Sequence, residues 1–253
     1  MTTPLAQAFA AVSSAVERRL FSEYGAVFAT AATPPPTVIF ANASEVEQFQ
    51  ASLKVSRAQI GDFEIELQSQ AMESLFSAAE AFDRQNGRIA ARAADSGARS
   101  YQDTVGLWLR NVTRGLDHWE SAGRISASQA QAIRDLPPVE QVAVILDLEE
   151  TQHLLFGTFF DRSILYSVAA PGASQHLSLL AFDVAEYRNG EVERVLGLYG
   201  WYRTVPNDLP HFTYLGRTPE ALVDAGLIRV TREYEERSYS FWIPDIARLN
   251  KRS

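Results

Sequence analysis

The chain contains no cysteine. That removes disulfides, thiolate metal sites, iron–sulfur clusters and a cysteine nucleophile together, though it assigns no compartment. Histidine is scarce, with four residues in 253. No run of about 18 apolar residues occurs, so no transmembrane helix is expected. Positive charge is in deficit: 23 Lys and Arg stand against 31 Asp and Glu, a formal net charge of -8. Such a balance gives no field for a phosphate backbone, and no basic stripe compensates, so nucleic acid is not expected as a partner. What remains is an ordinary globular composition, 46% hydrophobic and 21% charged, long enough for one large domain or two modest ones.

The pattern along the chain changes character. Apolar residues at Phe9, Val12, Val16 and Leu20 predict one helix over 6–24, stopped by Thr33-Pro34-Pro35-Pro36. Val38-Ile39-Phe40 reads as a short strand, and Asn42 or Ser44 caps a helix reaching Leu53. A longer helix is expected over 65–85, ended by Asn86-Gly87, with a strand at 88–92. From Tyr101 to His153 the pattern is helical, broken near Gly123 and at Pro137-Pro138. After about Ile164, glycines punctuate short β-rich runs at 179–184, 201–205 and 211–215. The end reads as a hairpin, 227–231 with 239–243, around a charged turn at 233–237. The fold class is α+β, helices first and strands later.

Four histidines limit where metal chemistry can sit. His118 and His153 fall on predicted helices beside Trp119 and Leu154, where a packed or surface histidine is the ordinary reading. His176 and His211 lie in the glycine-punctuated half. Asp183 follows His176 by seven residues, and Asp208 precedes His211 by three. Three zinc ligands and one spare carboxylate suit a catalytic zinc, which keeps a position for water. Seven residues of helix would separate His176 from Asp183 by roughly 10 Å, too far for one ion. A regular strand would send them to opposite faces. The pair therefore needs His176 on a loop after Pro171-Gly172 and Asp183 on the strand that follows. Spacing alone is weak, because any chosen offset from a histidine holds an acid about once in eight. On that ground alone, surface carboxylates beside two loop histidines are the better reading.

The surrounding residues add weight. Pro171-Gly172-Ala173-Ser174-Gln175-His176 followed by Leu180-Ala181-Phe182-Asp183 resembles the signature of the VanY-type zinc D-alanyl-D-alanine carboxypeptidases, roughly P-G-x-S-x-H-x-x-G-L-A-x-D. Asp208-Leu209-Pro210-His211-Phe212-Thr213-Tyr214 is similar to the family's E-x-W-H-F-R-Y block, and Tyr199-Gly200-Trp201 to its Y-G-F. Ser96-Gly97-Ala98-Arg99-Ser100 resembles its S-G-Y-R-S block. The resemblance implies Zn²⁺ held by His176, Asp183 and His211, with Asp208 as the general base. It implies Arg99 as the group that holds the developing oxyanion or a substrate carboxylate, and Ser174 as a cleft residue that binds substrate. The substrate class it implies is a peptidoglycan peptide cut beside a D-amino acid.

It also implies a fold: an antiparallel sheet carrying the zinc site, shared with hedgehog-type zinc domains. On that basis 1–60 is a helical N-terminal region, 61–217 the peptidase-like domain with a helical insertion at about 105–160, and 218–253 a C-terminal helix and hairpin. Departures from the pattern mark a divergent branch: Asp208 replaces Glu, Leu179 replaces the glycine between the first two ligands, Pro210 replaces Trp and Thr104 replaces Gln. The alternative in a different class is a non-catalytic zinc module that binds cell wall or protein. Wall chemistry implies a periplasmic or secreted location. The best leader candidate, Arg18-Arg19 followed by 20–32, is interrupted by Ser22 and Glu23 and makes a poor signal.

Overall fold

The computed structural model describes Thr3 to Lys251 and is an α+β arrangement. In chain order it opens with α1 (Pro4–Ala11), α2 (Ala15–Tyr24) and α3 (Ala43–Ala51), then the strands β1 (Val55–Ile60) and β2 (Phe63–Gln68) and the helix α4 (Ser69–Asp83). The helices α5 (Tyr101–Ser121), α6 (Ala127–Arg134) and α7 (Pro138–Gln152) follow. Then come β3 (Ala181–Asp183), α8 (Gly190–Leu198), β4 (Trp201–Tyr202), β5 (His211–Tyr214), α9 (Pro219–Ala225), β6 (Leu227–Tyr234), β7 (Arg237–Pro244) and α10 (Ile246–Asn250).

The chain divides into two compact units. The smaller comprises Ile39–Val46 and Ser100–Ser174. Its helices break where Gly123 and Pro137-Pro138 predict. Trp108, Val112, Leu116, Ile133, Val142 and Ile145 are buried in it. The Gln141 amide ties the layer together: its oxygen accepts from the Trp108 indole at 3.3 Å, and its nitrogen donates to the carbonyls of Ile133 and Leu136 at 3.2 Å. The Glu149 carboxylate pins the following loop by accepting from the backbone N–H groups of Phe156 and Ile164. Phe40 forms no strand; its N–H donates to the Gly172 carbonyl at 2.9 Å.

The larger unit holds the rest of the chain, up to Val38, from Glu47 to Arg99 and from Gln175 onward. Several local expectations change here. The helix predicted over 6–24 is two helices, because Ser14 and Glu17 form a reciprocal capping box that starts α2 afresh. The helix predicted over 65–85 begins only at Ser69. Gly61, at φ +67°, closes a two-residue turn that pairs Ile60 with Phe63, and alternation buries Ile65 and Leu67 as strand residues. The helix then ends at Asp83, three residues before Asn86 takes a left-handed conformation. The strand expected at 88–92 is a single bridge between Ala91 and Val184.

The expected terminal hairpin is present, with Leu227 opposite Pro244 and Tyr234 opposite Arg237. Behind the site lies a three-stranded antiparallel sheet in the order β3-β5-β4. Its alternation places Phe182, Phe212 and Tyr214 on one face and Asp183, His211 and Thr213 on the other. On the core face Trp201 meets Tyr214 at 5.4 Å and Phe182 at 6.2 Å between ring centroids, so both Trp201 and Tyr214 are core residues. Arg203 lies buried over the rings of Phe212 and Tyr239, paired with Glu193 and donating to the Leu209 carbonyl.

Candidate metal centre

Asp183 and His211 are directly opposed across β3 and β5, which puts both side chains on one face of the sheet. His176 arrives from a different direction. It sits in a 3-10 turn, Gln175–Ser178, and the next residue, Leu179, is left-handed at φ +57°. That residue turns the chain back so that β3 runs past the histidine it has just left. The odd spacing, unworkable for a regular helix or strand, is thereby accommodated. Leu179 thus holds a left-handed conformation that favours glycine, at a cost of about 1–2 kcal/mol for an L-residue.

The three ligand atoms of His176, Asp183 and His211 lie within 4.8 Å of one another. Among the described residues this is the one such group of His, Asp and Glu. Asp183 Oδ1 is 3.4 Å from His176 Nε2 and 3.4 Å from His211 Nδ1. Two donors bound at zinc distances in tetrahedral geometry lie about 3.3–3.4 Å apart, so the spacing fits one shared ion.

The protonation states agree. His176 Nδ1 is 2.7 Å from the Gly97 carbonyl, which can only accept, so this nitrogen carries the hydrogen and Nε2 presents a lone pair. Burial lowers the His176 pKa, with Asp183 opposing, which keeps the ring neutral near pH 7. Burial works to raise the Asp183 pKa, yet the carboxyl is held well below its ordinary value, and Arg99 Nη2 donates to its other oxygen at 2.8 Å. A neutral imidazole lone pair thus faces an ionised carboxylate oxygen. Both atoms, His176 Nε2 and Asp183 Oδ1, are buried without a hydrogen-bond partner among the described residues. Two acceptors aimed at each other call for a cation. The donor set, two imidazoles and one carboxylate, fits zinc with a coordination position left over.

The segment 96–99 supports the site at three points. The Ser96 carbonyl accepts the Asp183 N–H at 2.9 Å, the Gly97 carbonyl orients His176, and Arg99 Nη2 donates to Asp183 Oδ2 at 2.8 Å. Glycine is required at 97, because a Cβ there would lie 2.5 Å from Ile65 Cγ2 and 2.9 Å from the Glu66 carbonyl. Arg99 is therefore already engaged, steering one carboxylate oxygen so that the other faces the histidines. Its Nε donates to the Asp95 carbonyl at 3.1 Å, while Nη1 has no hydrogen-bond partner among the described residues.

Asp208 lies beside the centre, close enough for the charges of His211, Asp183, His176 and Arg99 to act on it. Crowding by protein raises its pKa first, His211 opposes and Asp183 adds. Asp208 is itself exposed to solvent. Ser174 is buried and belongs to the smaller unit. Thr104 is buried, its hydroxyl spent on the Tyr101 carbonyl. His118 stacks on Phe160 at 4.1 Å, and His153 caps α7, both structural as expected. Sequence reasoning missed the carbonyl of Gly97, the hydroxyls of Thr204 and Thr213 and the role of Gln175. Only adjacency to the motif pointed to Gly97 and Gln175, and nothing local pointed to the threonines.

No protein-family model matches the chain, and no curated protein does. Among solved structures it is similar to the LdcB LD-carboxypeptidase, described for its peptidoglycan recognition, with a TM-score of 0.37 and 16% identity over 68% of this chain and 72% of that one. It is also similar to a variant of the vancomycin-resistance D,D-pentapeptidase VanY in complex with Zn(II), with a TM-score of 0.35 and 17% identity over 66% of this chain and 82% of that one. Likeness of that degree does not fix the chemistry of this chain; its own side chains do.

Proposed function

We propose that the protein is a zinc peptidase that hydrolyses a peptide bond next to a D-amino acid in peptidoglycan peptides. The observation that carries the reading is the pair of buried, partnerless acceptors, His176 Nε2 and Asp183 Oδ1, completed by His211 Nδ1 at the same distance. A zinc ion held by these three residues supplies Lewis-acid stabilisation of a carbonyl oxygen and a more acidic water.

The chain's own groups supply the rest. Asp208, with its raised pKa, is a stronger base than an ordinary aspartate; it takes a proton from the attacking water and returns it to the departing amine. Arg99 holds Asp183 through Nη2 and offers Nη1 to a substrate oxygen, either the developing oxyanion or a terminal carboxylate. The substrate class comes from the resemblance of the motif blocks and implies action at the cell wall, outside the cytoplasm. Among the described residues no helix is long and apolar enough to cross a membrane.

The test is hydrolysis of a peptide ending in D-alanyl-D-alanine by the zinc-loaded protein, followed by release of D-alanine, alongside Asp208→Asn. Turnover lost in the variant while zinc is retained supports the reading. Zinc binding with no turnover of D-amino-acid peptides by the unaltered protein overturns it in favour of a binding module.

A further inference from the structure

The two histidines of the centre are oriented by different means, and only one of them by the backbone. His176 is set by the Gly97 carbonyl. His211 is set by a side chain: its Nε2 lies 2.8 Å from Gln175 Oε1. The orientation of that amide is unambiguous, because Gln175 Nε2 lies 2.7 Å from the Tyr24 carbonyl, which can only accept. The NH₂ group must therefore face Tyr24, and the oxygen must face His211. An amide oxygen has no hydrogen to give, so His211 Nε2 must be the donor.

The hydroxyls of Thr204 and Thr213 lie within hydrogen-bond distance of the same oxygen and 2.7 Å from each other, so one of their two hydrogens bridges the pair and the other goes to the amide oxygen beside the His211 N–H. All of these residues are at least nine-tenths buried, so water does not compete for the oxygen.

We infer that Gln175 is a positioning residue that locks His211 in the Nε2–H tautomer and thereby presents Nδ1 as its ligand atom. The backbone carbonyl of Gly97 imposes the opposite tautomer on His176. The centre is thus mixed, with Nε2 from one ring and Nδ1 from the other, and both lone pairs converge on Asp183 Oδ1. Free imidazole exchanges between tautomers readily, so without Gln175 part of the His211 population would point an N–H at the ion. Thr213 is the nearest substitute, but its hydroxyl is 3.5 Å from His211 Nε2 and already bonded elsewhere.

This assignment rests on the zinc reading of the same site, but its primary readout needs no metal. Long-range ¹H–¹⁵N correlation spectra of the ¹⁵N-labelled, metal-free protein report which nitrogen of each histidine carries the hydrogen. Expected is Nε2–H for His211 and Nδ1–H for His176 in the unaltered chain. In Gln175→Met, His211 should become a tautomer mixture while His176 is unchanged, and zinc affinity by chelator competition should fall about 10–100-fold. Gln175→Glu keeps an acceptor on His211 and should restore the single tautomer.

The inference is overturned if His211 carries its hydrogen on Nδ1 in the unaltered protein, or if Gln175→Met leaves tautomer and affinity unchanged. Should the methionine variant fail to fold, the spectra of the unaltered protein and of Gln175→Glu still decide. An Nε2–H tautomer in a protein that binds no zinc would sink the metal reading and leave the role of Gln175 standing.

Discussion

His176 Nε2 and Asp183 Oδ1 face each other at 3.4 Å, both buried, with no hydrogen to share between them. The Gly97 carbonyl holds the imidazole hydrogen on the far nitrogen, and Arg99 holds the far oxygen of the carboxylate. The two acceptors cannot relieve the contact by rotating without breaking those bonds. A cation relieves it.

The first expectation is therefore stoichiometric. Dialysed protein should carry about one zinc per chain by elemental mass spectrometry, and His176→Ala or Asp183→Ala should carry none. Because the ion binds only the folded chain, zinc at about 1,000 times its Kd should add about 4 kcal/mol of stability. A melting temperature that does not respond to chelator would contradict this.

Arg99 contributes through the ligand it orients. Arg99→Ala frees Asp183 Oδ2 and should weaken zinc binding about 10–100-fold. Arg99→Lys should recover only part of that loss, since one ammonium cannot reproduce the forked geometry. Competition with a chromophoric chelator measures both; equal affinities across the three proteins would remove the role.

Asp208 is expected to matter for rate and not for metal. Asp208→Asn should retain the zinc of the unaltered protein and lose about 10²–10⁴ in kcat on a D-alanyl-D-alanine peptide. Steady-state kinetics paired with metal analysis separates the two effects.

Leu179 makes an unusual stability prediction. Glycine usually costs about 1 kcal/mol more than alanine within ordered structure. At φ +57° the order should reverse, because glycine relieves about 1–2 kcal/mol that alanine retains. Both substitutions leave a cavity costing about 2–5 kcal/mol. Urea denaturation should therefore find Leu179→Gly no less stable than Leu179→Ala.

Glu23 gives a pH dependence away from the metal centre. Burial raises its pKa, and the Arg19 guanidinium 3.0 Å away only partly opposes this. A raised carboxyl pKa stabilises the fold fully below the unfolded-state value, and that contribution is lost as pH climbs through the folded-state value. Glu23→Gln, which mimics the protonated form, should thus gain stability relative to the unaltered chain between about pH 4 and 7. Denaturation midpoints at the two pH values test the sign.

The composition and the motif blocks alone determined a good deal: an α+β chain, the absence of thiols, the helical stretch from Tyr101 and the terminal hairpin. These are local properties, since periodicity, proline breaks and turn residues act within a few positions. The three residues whose side-chain atoms converge were also legible, because histidine is rare in this chain and two of its four copies sit in a recognisable neighbourhood. Local signals were misread where two of them competed. The Ser14–Glu17 capping box overrode the apolar stripe over 6–24, and the turn at Gly61 claimed Ile65 and Leu67 for a strand.

Only the tertiary structure decided how the ligands are aimed. Gly97 lies 79 positions from His176, and Gln175 lies 36 from His211. No sequence period links such residues; packing brings them together, and a hydrogen bond then selects the nitrogen that faces Asp183.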